Sequence, residues 1–159
     1  MRILYFDIDG VLLYYDDMPK PALLNNALQD KLKSHGFDQL ACVSGHADMA
    51  NAKINNFSPE RQKLKIHAIL EDIFPDKDWF LEHLILLYEN ETRGRHIDLD
   101  EDWFYIDDWA EEFFTKEYGK EMWLFCANIN STPPELRSRI LQVDHRGDGS
   151  DILTWLDQI

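Results

Sequence analysis

Each of three short apolar runs in the sequence is followed at once by side chains that can bind a metal ion or a phosphate. These side chains belong to Asp7, Asp9, Ser44, Asp107 and Asp108. Carboxylate oxygens are hard ligands that suit Mg²⁺, which proteins hold with a few carboxylates, waters and phosphate oxygens. Carboxylates that lie close together repel one another unless a cation or protons intervene. If the fold brings these residues together, a divalent cation is the simplest way to stabilise them.

The apolar runs themselves are typical of strands that are buried on both faces of a parallel sheet, because they are short and uniformly apolar. A fourth run of this kind follows later in the chain. The four predicted strands are Ile3–Phe6, Leu40–Val43, Trp103–Ile106 and Ile140–Val143. Ligands of an open parallel sheet bind beyond the carboxyl ends of its strands. The polar residues after the first three strands are therefore expected to meet at one edge of the sheet.

Segments with helical periodicity separate these strands, and the alternation predicts an α/β fold: a doubly wound, Rossmann-like parallel sheet between two helical layers. The run Met122–Ile129 fits a strand or a buried helix equally well. A short strand is predicted over Lys65–Leu70, and Ser150 or Asp151 is expected to cap the last helix. The predicted helices are Leu23–His35, Ala47–Phe57, Trp79–Tyr88 and Ser150–Leu156.

The composition predicts one domain over residues 1–159, since 45% of the residues are hydrophobic and no linker or repeat divides the chain. No stretch approaches the roughly 18 apolar residues of a membrane span, and none reads as a signal peptide, so we expect a cytoplasmic protein. Cys42 and Cys126 lie in apolar runs, which is typical of buried thiols. The net charge of −14 opposes binding to nucleic acid or to anionic membranes.

The sequence FDIDGVL, residues 6–12, resembles the first motif of the haloacid dehalogenase (HAD) superfamily of phosphatases and phosphotransferases. CVSG at 42–45 is similar to the second motif of that superfamily, and YIDD at 105–108 is similar to its acidic fourth motif. Residues 140–156 resemble the closing strand, turn and helix of some members. The resemblance implies a HAD-like fold and Mg²⁺-dependent phosphoryl chemistry.

The resemblance also implies a role for each residue. Asp7 would attack phosphorus and form an aspartyl-phosphate, while Asp9 would act first as general acid and then as general base. Mg²⁺ would be held by the side chains of Asp7 and Asp107 and by the backbone carbonyl of Asp9, and Asp108 would support Asp107 or replace it. Ser44 and the N–H groups that follow it would hold the phosphate. The acid at position 9 favours phosphoryl chemistry over carbon–halogen hydrolysis.

The third motif of the family is a lysine that balances the charge of the carboxylates and the phosphate. We assign it to Lys77, because this residue precedes the segment that leads to the Asp107 strand, as in the usual order of the family. An acidic protein needs such a local cation to admit a phosphate. The alternatives for this position are Lys63, Lys65, Arg93 and Arg95.

The intervals between the motifs are too short for the cap domain that many family members carry. Asp9 and Ser44 are 35 positions apart, and Ser44 and Lys77 are 33 positions apart. We therefore expect an open site that accepts either a macromolecular phosphate or a small one enclosed by a second copy of the chain. Residues 14–17, Tyr-Tyr-Asp-Asp, occupy the position of a flap that would contact the substrate.

Ordinary structural roles compete with these assignments. Asp7 and Asp9 fit a solvated turn, residues 107–108 fit the cap of a helix over 110–118, and Ser44 fits the cap of its own helix. Two other functions stay open: a family member that binds a metal or a phosphorylated ligand without turnover, and an enzyme that processes phosphate ends of nucleic acid. The acidity of the chain counts against the second.

Overall fold

The computed structural model of this protein describes residues 1–47, 58–87, 97–98, 100–110 and 137–159. Along the described residues, one α-helix separates the first two strands and two α-helices separate the second strand from the third, whereas the last three strands follow one another with no described helix between them. Two single turns of 3-10 helix, Pro21–Leu23 and Gly45–Ala47, accompany them. The longer elements are β1 (Arg2–Phe6), α1 (Ala27–Ser34), β2 (Gln39–Cys42), α2 (Pro59–Leu70), α3 (Lys77–His83), β3 (Leu84–Leu86), β4 (Asp102–Asp107), β5 (Ile140–Gln142) and α4 (Ser150–Leu156).

The five strands form one parallel sheet in the order β3-β2-β1-β4-β5. The last residue of β1, Phe6, pairs with Cys42 at the end of β2 and with Ile106 in β4. The ladder continues one step further, because the Asp7 N–H donates to the Ile106 carbonyl at 3.2 Å and the Val43 N–H donates to the Phe6 carbonyl at 2.9 Å. The three central strands therefore end at the same level, so the residues that follow them are neighbours.

Alternate residues of the strands face two apolar clusters. Leu4 and Phe6 of β1 belong to the larger cluster, to which all four described helices contribute. Ile3 and Tyr5 belong to the second cluster, to which none of α1–α4 contributes. The α/β class and the parallel sheet are thus confirmed. Helices on the second face, a HAD-like fold, a single domain and the lack of a cap stay predictions.

Two predicted elements between β2 and β4 differ from the structure. The helix predicted over 79–88 ends at His83, and Leu84–Leu86 form β3 beside β2. A single apolar run thus serves a helix and then a strand, which helical periodicity does not reveal. The strand predicted over Lys65–Leu70 is wrong, because these residues belong to α2, which begins after Ser58.

The ends of the other helices depend on backbone conformations that the sequence does not specify. α1 begins at Ala27 rather than at residue 23, because Asn25 and Asn26 adopt positive φ after the 3-10 turn. α4 has the predicted bounds, but its N-cap is Gly149 at φ +92°, and no side chain caps it. A Cβ at position 149 would lie 2.7 Å from Cγ of Leu23, so glycine is required there.

Some predicted elements fall outside the described residues. These are the helix over 47–57, apart from its first residue, the run over 122–129 and the helix over 110–118 beyond its first residue. None of the described helices has the length and the apolar composition needed to cross a membrane.

Candidate metal centre

Three aspartates meet at the carboxyl edge of the sheet. Asp7 directly follows β1, Asp107 ends β4 and Asp108 follows it. One carboxylate oxygen of each residue lies within 4.8 Å of the other two, and all three side chains are buried. Three oxygens at this spacing can ligate a single cation, and carboxylates suit a hard ion such as Mg²⁺. The structure thus brings Asp7 together with residues 107 and 108, as the carboxyl ends of adjacent parallel strands require.

Protein donors orient the carboxylates of Asp7 and Asp107. The hydroxyl of Tyr105 donates to Oδ2 of Asp107 at 2.6 Å, and the backbone N–H of Trp109 donates to Oδ1 of Asp107 at 2.7 Å. The N–H of Ile8 donates to Oδ1 of Asp7 at 2.8 Å. A carboxylate oxygen carries more than one lone pair, so these donors fix the groups and leave them able to ligate a cation.

The buried carboxylate of Asp108 is poorly suited to carry a charge on its own. Burial raises the pKa of the Asp108 carboxyl above its ordinary value, and the negative charge of Asp7 raises it further. The hydrogen bond that the Tyr15 hydroxyl donates to Oδ2 of Asp108 opposes this rise. A divalent cation among the three carboxylates would offset both the burial and the repulsion, so the donor set fits Mg²⁺.

A tight turn after β1 carries the chain past this cluster. The N–H groups of Val11, Leu12 and Leu13 all point at the carbonyl of Ile8, at 3.2, 2.9 and 3.0 Å. Gly10, inside the turn, has φ +77°, and a Cβ there would overlap the carboxylate of Asp108. Glycine is required at this position for its conformation and for the close approach of Asp108.

The side chain of Asp9 lies outside the three-carboxylate cluster. It is partly exposed, and its Oδ2 lies 3.0 Å from Nε2 of His46. The backbone N–H of His46 donates to Oγ of Ser44 at 3.3 Å, and the side-chain amide of Gln62 donates to the carbonyl of His46. The contact between His46 and Asp9 places the turn after β2 beside Asp9. Ser44 is buried, and its contact with a phosphate stays a prediction, as does ligation by the backbone carbonyl of Asp9.

His46 lies beside this site, and the sequence does not reveal its contact with Asp9. The sequence predicts only a surface or hydrogen-bonded histidine at this position, one of six in the chain. The structure pairs it with Asp9, the residue that the family resemblance makes the general acid and base. Its position two residues after Ser44, at the end of a neighbouring strand, is the signal that could have drawn attention to it.

Lys77 does not lie at this edge of the sheet. It begins α3 and is exposed, and the preceding residue, Asp76, pairs at 2.6 Å with Lys33 in the last turn of α1. Because α1 ends where the chain enters β2, this contact places Lys77 at the amino edge of the sheet, opposite the aspartates. Among the alternatives, the ammonium of Lys63 donates to the carbonyl of Leu81 in α3 at 3.4 Å. Lys65 is exposed on α2, and positions 93 and 95 lie outside the described residues.

A lysine that sequence reasoning missed lies closer to the cluster. The side chain of Lys20 is 0% exposed, and its ammonium donates to the carbonyl of Asp144 at 2.8 Å. Burial lowers the pKa of Lys20, whereas the carboxylates of Asp151, Asp144 and Asp108 oppose that shift. The carboxylate of Asp108 is therefore close enough to act on the charge of Lys20. A lysine between two prolines gives no sequence signal of burial.

Comparison of the chain with models of known protein families, with curated proteins and with solved structures gives no match. The chemistry of the site follows from its own residues. These provide three buried carboxylates for a cation, a partly exposed carboxylate two residues beyond the first of them, and a buried ammonium group near the third.

Proposed function

We propose that this protein is a Mg²⁺-dependent phosphomonoesterase of the haloacid dehalogenase type with Asp7 as its nucleophile. The observation that carries this proposal is the meeting of Asp7, Asp107 and Asp108 within 4.8 Å at the carboxyl edge of a parallel sheet. An ordinary turn or a helix cap would not require all three carboxylates to be buried together. The resemblance of FDIDGVL and YIDD to two family motifs supports the same conclusion, because these motifs supply the three residues.

Asp7, Asp107 and Asp108 are the residues that would hold the metal ion. The ion, when bound, would neutralise the carboxylates and the oxygens of the substrate phosphate. In the first step, a carboxylate oxygen of Asp7 attacks phosphorus, the ester P–O bond breaks, and Asp9 gives its proton to the leaving oxygen. In the second step, Asp9 takes a proton from water, the water oxygen attacks phosphorus, and the bond between phosphorus and Asp7 breaks. The products are an alcohol and inorganic phosphate.

The geometry of Asp9 supports its role as the acid and base. Its side chain is partly exposed, so it can reach the leaving group and water, whereas the three cluster carboxylates are buried. His46 holds the carboxylate of Asp9 at 3.0 Å. A proton-transfer group needs this combination of access and fixed position.

Lys20 takes, in this proposal, the charge-balancing role that the sequence assigns to Lys77. Its ammonium is buried and lies within electrostatic reach of Asp108, whereas Lys77 begins a helix at the opposite edge of the sheet. Because Lys20 is completely buried, it would act on the charge of the site without touching the substrate.

The test is hydrolysis of p-nitrophenyl phosphate and of small phosphate esters by the full chain, with Mg²⁺ and with a chelator. We expect turnover that needs Mg²⁺, a loss to background in Asp7→Asn, and a loss of about 10²–10⁴-fold in Asp9→Asn. Asp157→Asn, which changes an exposed aspartate paired with Lys31, is the matched control and keeps the wild-type rate. Acid quenching should trap a phosphorylated peptide that contains Asp7.

Two results would contradict the proposal. Full activity in Asp7→Asn would show that Asp7 is not the nucleophile. Binding of Mg²⁺ by the wild type without turnover of any phosphate ester, phosphopeptide or phosphorylated oligonucleotide would instead favour a protein that binds its ligand and does not hydrolyse it.

A further inference from the structure

Exposed aromatic side chains are concentrated beside the aspartate cluster. Tyr15 is 57% exposed and lies in the turn that follows Asp9, and Trp109 is 54% exposed and directly follows Asp108. Among the described residues, these are the exposed aromatic side chains, since the other large hydrophobic residues left exposed are methionines, a leucine and an isoleucine. Single exposed apolar residues are common on proteins, but two aromatic rings at the entrance of one site call for an explanation.

The rings are fixed in place by contacts with one another and with the cluster. The indole N–H of Trp109 donates to the hydroxyl of Tyr15 at 3.3 Å, and this hydroxyl donates to the carboxylate of Asp108. The ring of Tyr15 stacks on that of His145, with centroids 5.3 Å apart and planes 24° from parallel. Rings held in this way lose little freedom when a ligand stacks on them, so they are preorganised for binding.

These contacts also place the two rings close to Asp7. Tyr15 is one hydrogen bond away from Asp108, and an oxygen of Asp108 lies within 4.8 Å of an oxygen of Asp7. A phosphate ester bound at Asp7 would therefore lie close enough to this part of the rim for its leaving group to extend across it. A planar group on the ester can stack on the exposed ring surface, as nucleobases do on aromatic side chains.

The charge of the protein limits the size of such a ligand. At a net charge of −14, a long polyanion would be repelled by the protein as a whole, whereas a single phosphate would need neutralising only within the site. We infer that Tyr15 and Trp109, with His145 behind Tyr15, form a stacking subsite for the base of a mononucleotide-like phosphomonoester. This inference rests on the proposed phosphatase function and names its substrate class.

The test compares 5′-AMP with ribose 5-phosphate, which has the same phosphate and the same leaving oxygen but no base. With Mg²⁺ and wild-type protein, we expect kcat/KM to be about tenfold or more higher for 5′-AMP. In Trp109→Leu, the ratio of the two kcat/KM values should fall about tenfold, mainly through the KM for 5′-AMP. Leu64→Ala is the control, because Leu64 is an exposed apolar residue on α2, and it should keep the wild-type ratio.

The outcomes separate this inference from the proposed function. Hydrolysis of both esters with equal kcat/KM, or an unchanged ratio in Trp109→Leu, would overturn the stacking subsite and leave the phosphatase standing. A 5′-phosphorylated oligonucleotide with a higher kcat/KM than 5′-AMP would overturn the restriction to small ligands.

If no ester is hydrolysed, the phosphatase proposal fails, and the subsite is judged by binding instead. Quenching of tryptophan fluorescence by 5′-AMP, absent with ribose 5-phosphate and lost in Trp109→Leu, would support it. Equal quenching by the two ligands, or none by either, would overturn it.

Discussion

Gly10 and Gly36 both have positive φ, +77° and +65°, but only Gly10 lies against the candidate metal centre. A Cβ at position 36 meets nothing within 4 Å, whereas one at position 10 would overlap the carboxylate of Asp108. Gly36→Ala should therefore lower the free energy of unfolding by only about 1–2 kcal/mol, which is the cost of holding an alanine in the left-handed conformation. Gly10→Ala should cost about 1–3 kcal/mol more, because the carboxylate must move.

Urea unfolding of the two glycine variants measures this difference, and a Mg²⁺ titration measures its effect on the site. Gly10→Ala should also weaken Mg²⁺ binding, while Gly36→Ala should keep the wild-type affinity. Equal stability and equal Mg²⁺ affinity in the two variants would show that Asp108 does not approach Gly10 as described.

Lys20 provides a second prediction at the scale of a single residue. Its buried ammonium would compete electrostatically with a cation bound near Asp108, so Lys20→Met should strengthen Mg²⁺ binding by about threefold to tenfold. The same variant should weaken binding of inorganic phosphate in the presence of Mg²⁺. Lys31→Met, at an exposed lysine paired with Asp157, is the control and should change neither affinity. Calorimetric titrations of Mg²⁺ and phosphate decide the sign, and weaker Mg²⁺ binding in Lys20→Met would contradict this account.

At this scale, the sequence reveals residue types and positions but not the contacts between distant segments. Asp7 and the pair 107–108 are visible because they directly follow apolar runs that read as strands. Tyr15 and Asp108, by contrast, are 93 positions apart, and their hydrogen bond depends on the path of the chain after β1. The burial of Lys20 cannot be predicted from the sequence for the same reason, since only the folded chain shows that a lysine from a polar turn is buried.

The start of α3 offers a prediction at the scale of the elements. Asp76 is the N-cap of α3, where its Oδ1 accepts the N–H of Trp79 at 3.2 Å, and its Oδ2 pairs with Lys33 of α1. The hydrogen bond from Lys33 and the N–H of Trp79 hold the pKa of Asp76 below its ordinary value of 3.8. A lowered pKa in the folded state means that this carboxylate adds stability above pH 3.8 and loses it as the pH falls through the lowered value.

Thermal unfolding at several pH values tests the role of Asp76. Asp76→Asn keeps a good capping residue and removes the charge, so it should lower Tm slightly near neutral pH and match the wild type in strong acid. Asp76→Ala also removes the cap and should lower Tm further at every pH. A difference between wild type and Asp76→Asn that grows as the pH falls would contradict the ion pair with Lys33.

At the scale of the elements, apolar runs in the sequence predict the strands better than they predict the helix bounds or the strand order. The four predicted strands lie in the sheet with ends shifted by at most one residue, because uniformly apolar runs of four residues have few other uses in an α/β protein. β3 was missed because Leu84–Leu86 continue the apolar face of the preceding helix without a break. Neither the strand order nor the bounds of α1, which depend on positive φ at two asparagines, can be derived from periodicity.

For the whole molecule, the buried aspartate cluster makes folding stability depend on pH, and metal binding there would add to this dependence. The raised pKa of Asp108 means that the metal-free folded state holds a proton more tightly than the unfolded chain does, so stability decreases as the pH rises through the raised pKa. Protons would therefore compete with Mg²⁺ for the proposed metal site. We expect Mg²⁺ to stabilise the protein by about 2.7 kcal/mol at 100 times its dissociation constant, with a smaller effect at lower pH.

Scanning calorimetry with Mg²⁺ and with a chelator, at about pH 5 and about pH 7.5, checks this linkage. Asp107→Asn should lose most of the Mg²⁺-dependent rise in Tm, while Asp157→Asn should keep it. A rise in Tm that is the same in wild type and Asp107→Asn would place the metal elsewhere on this highly charged protein.

The loop after β5 has a consequence for the order in which this protein is made. The ammonium of Lys20 donates a hydrogen bond to the carbonyl of Asp144, and the N–H of Ala22 donates one to the carbonyl of Asp148. Gly149 lies against Leu23. The segment that carries Asp9 and Tyr15 is thus anchored by residues translated more than a hundred codons later. A nascent chain on the ribosome would expose Asp7 and Asp9 long before that anchor is made, so the proposed cation site should form only once residue 149 is free to pack against Leu23.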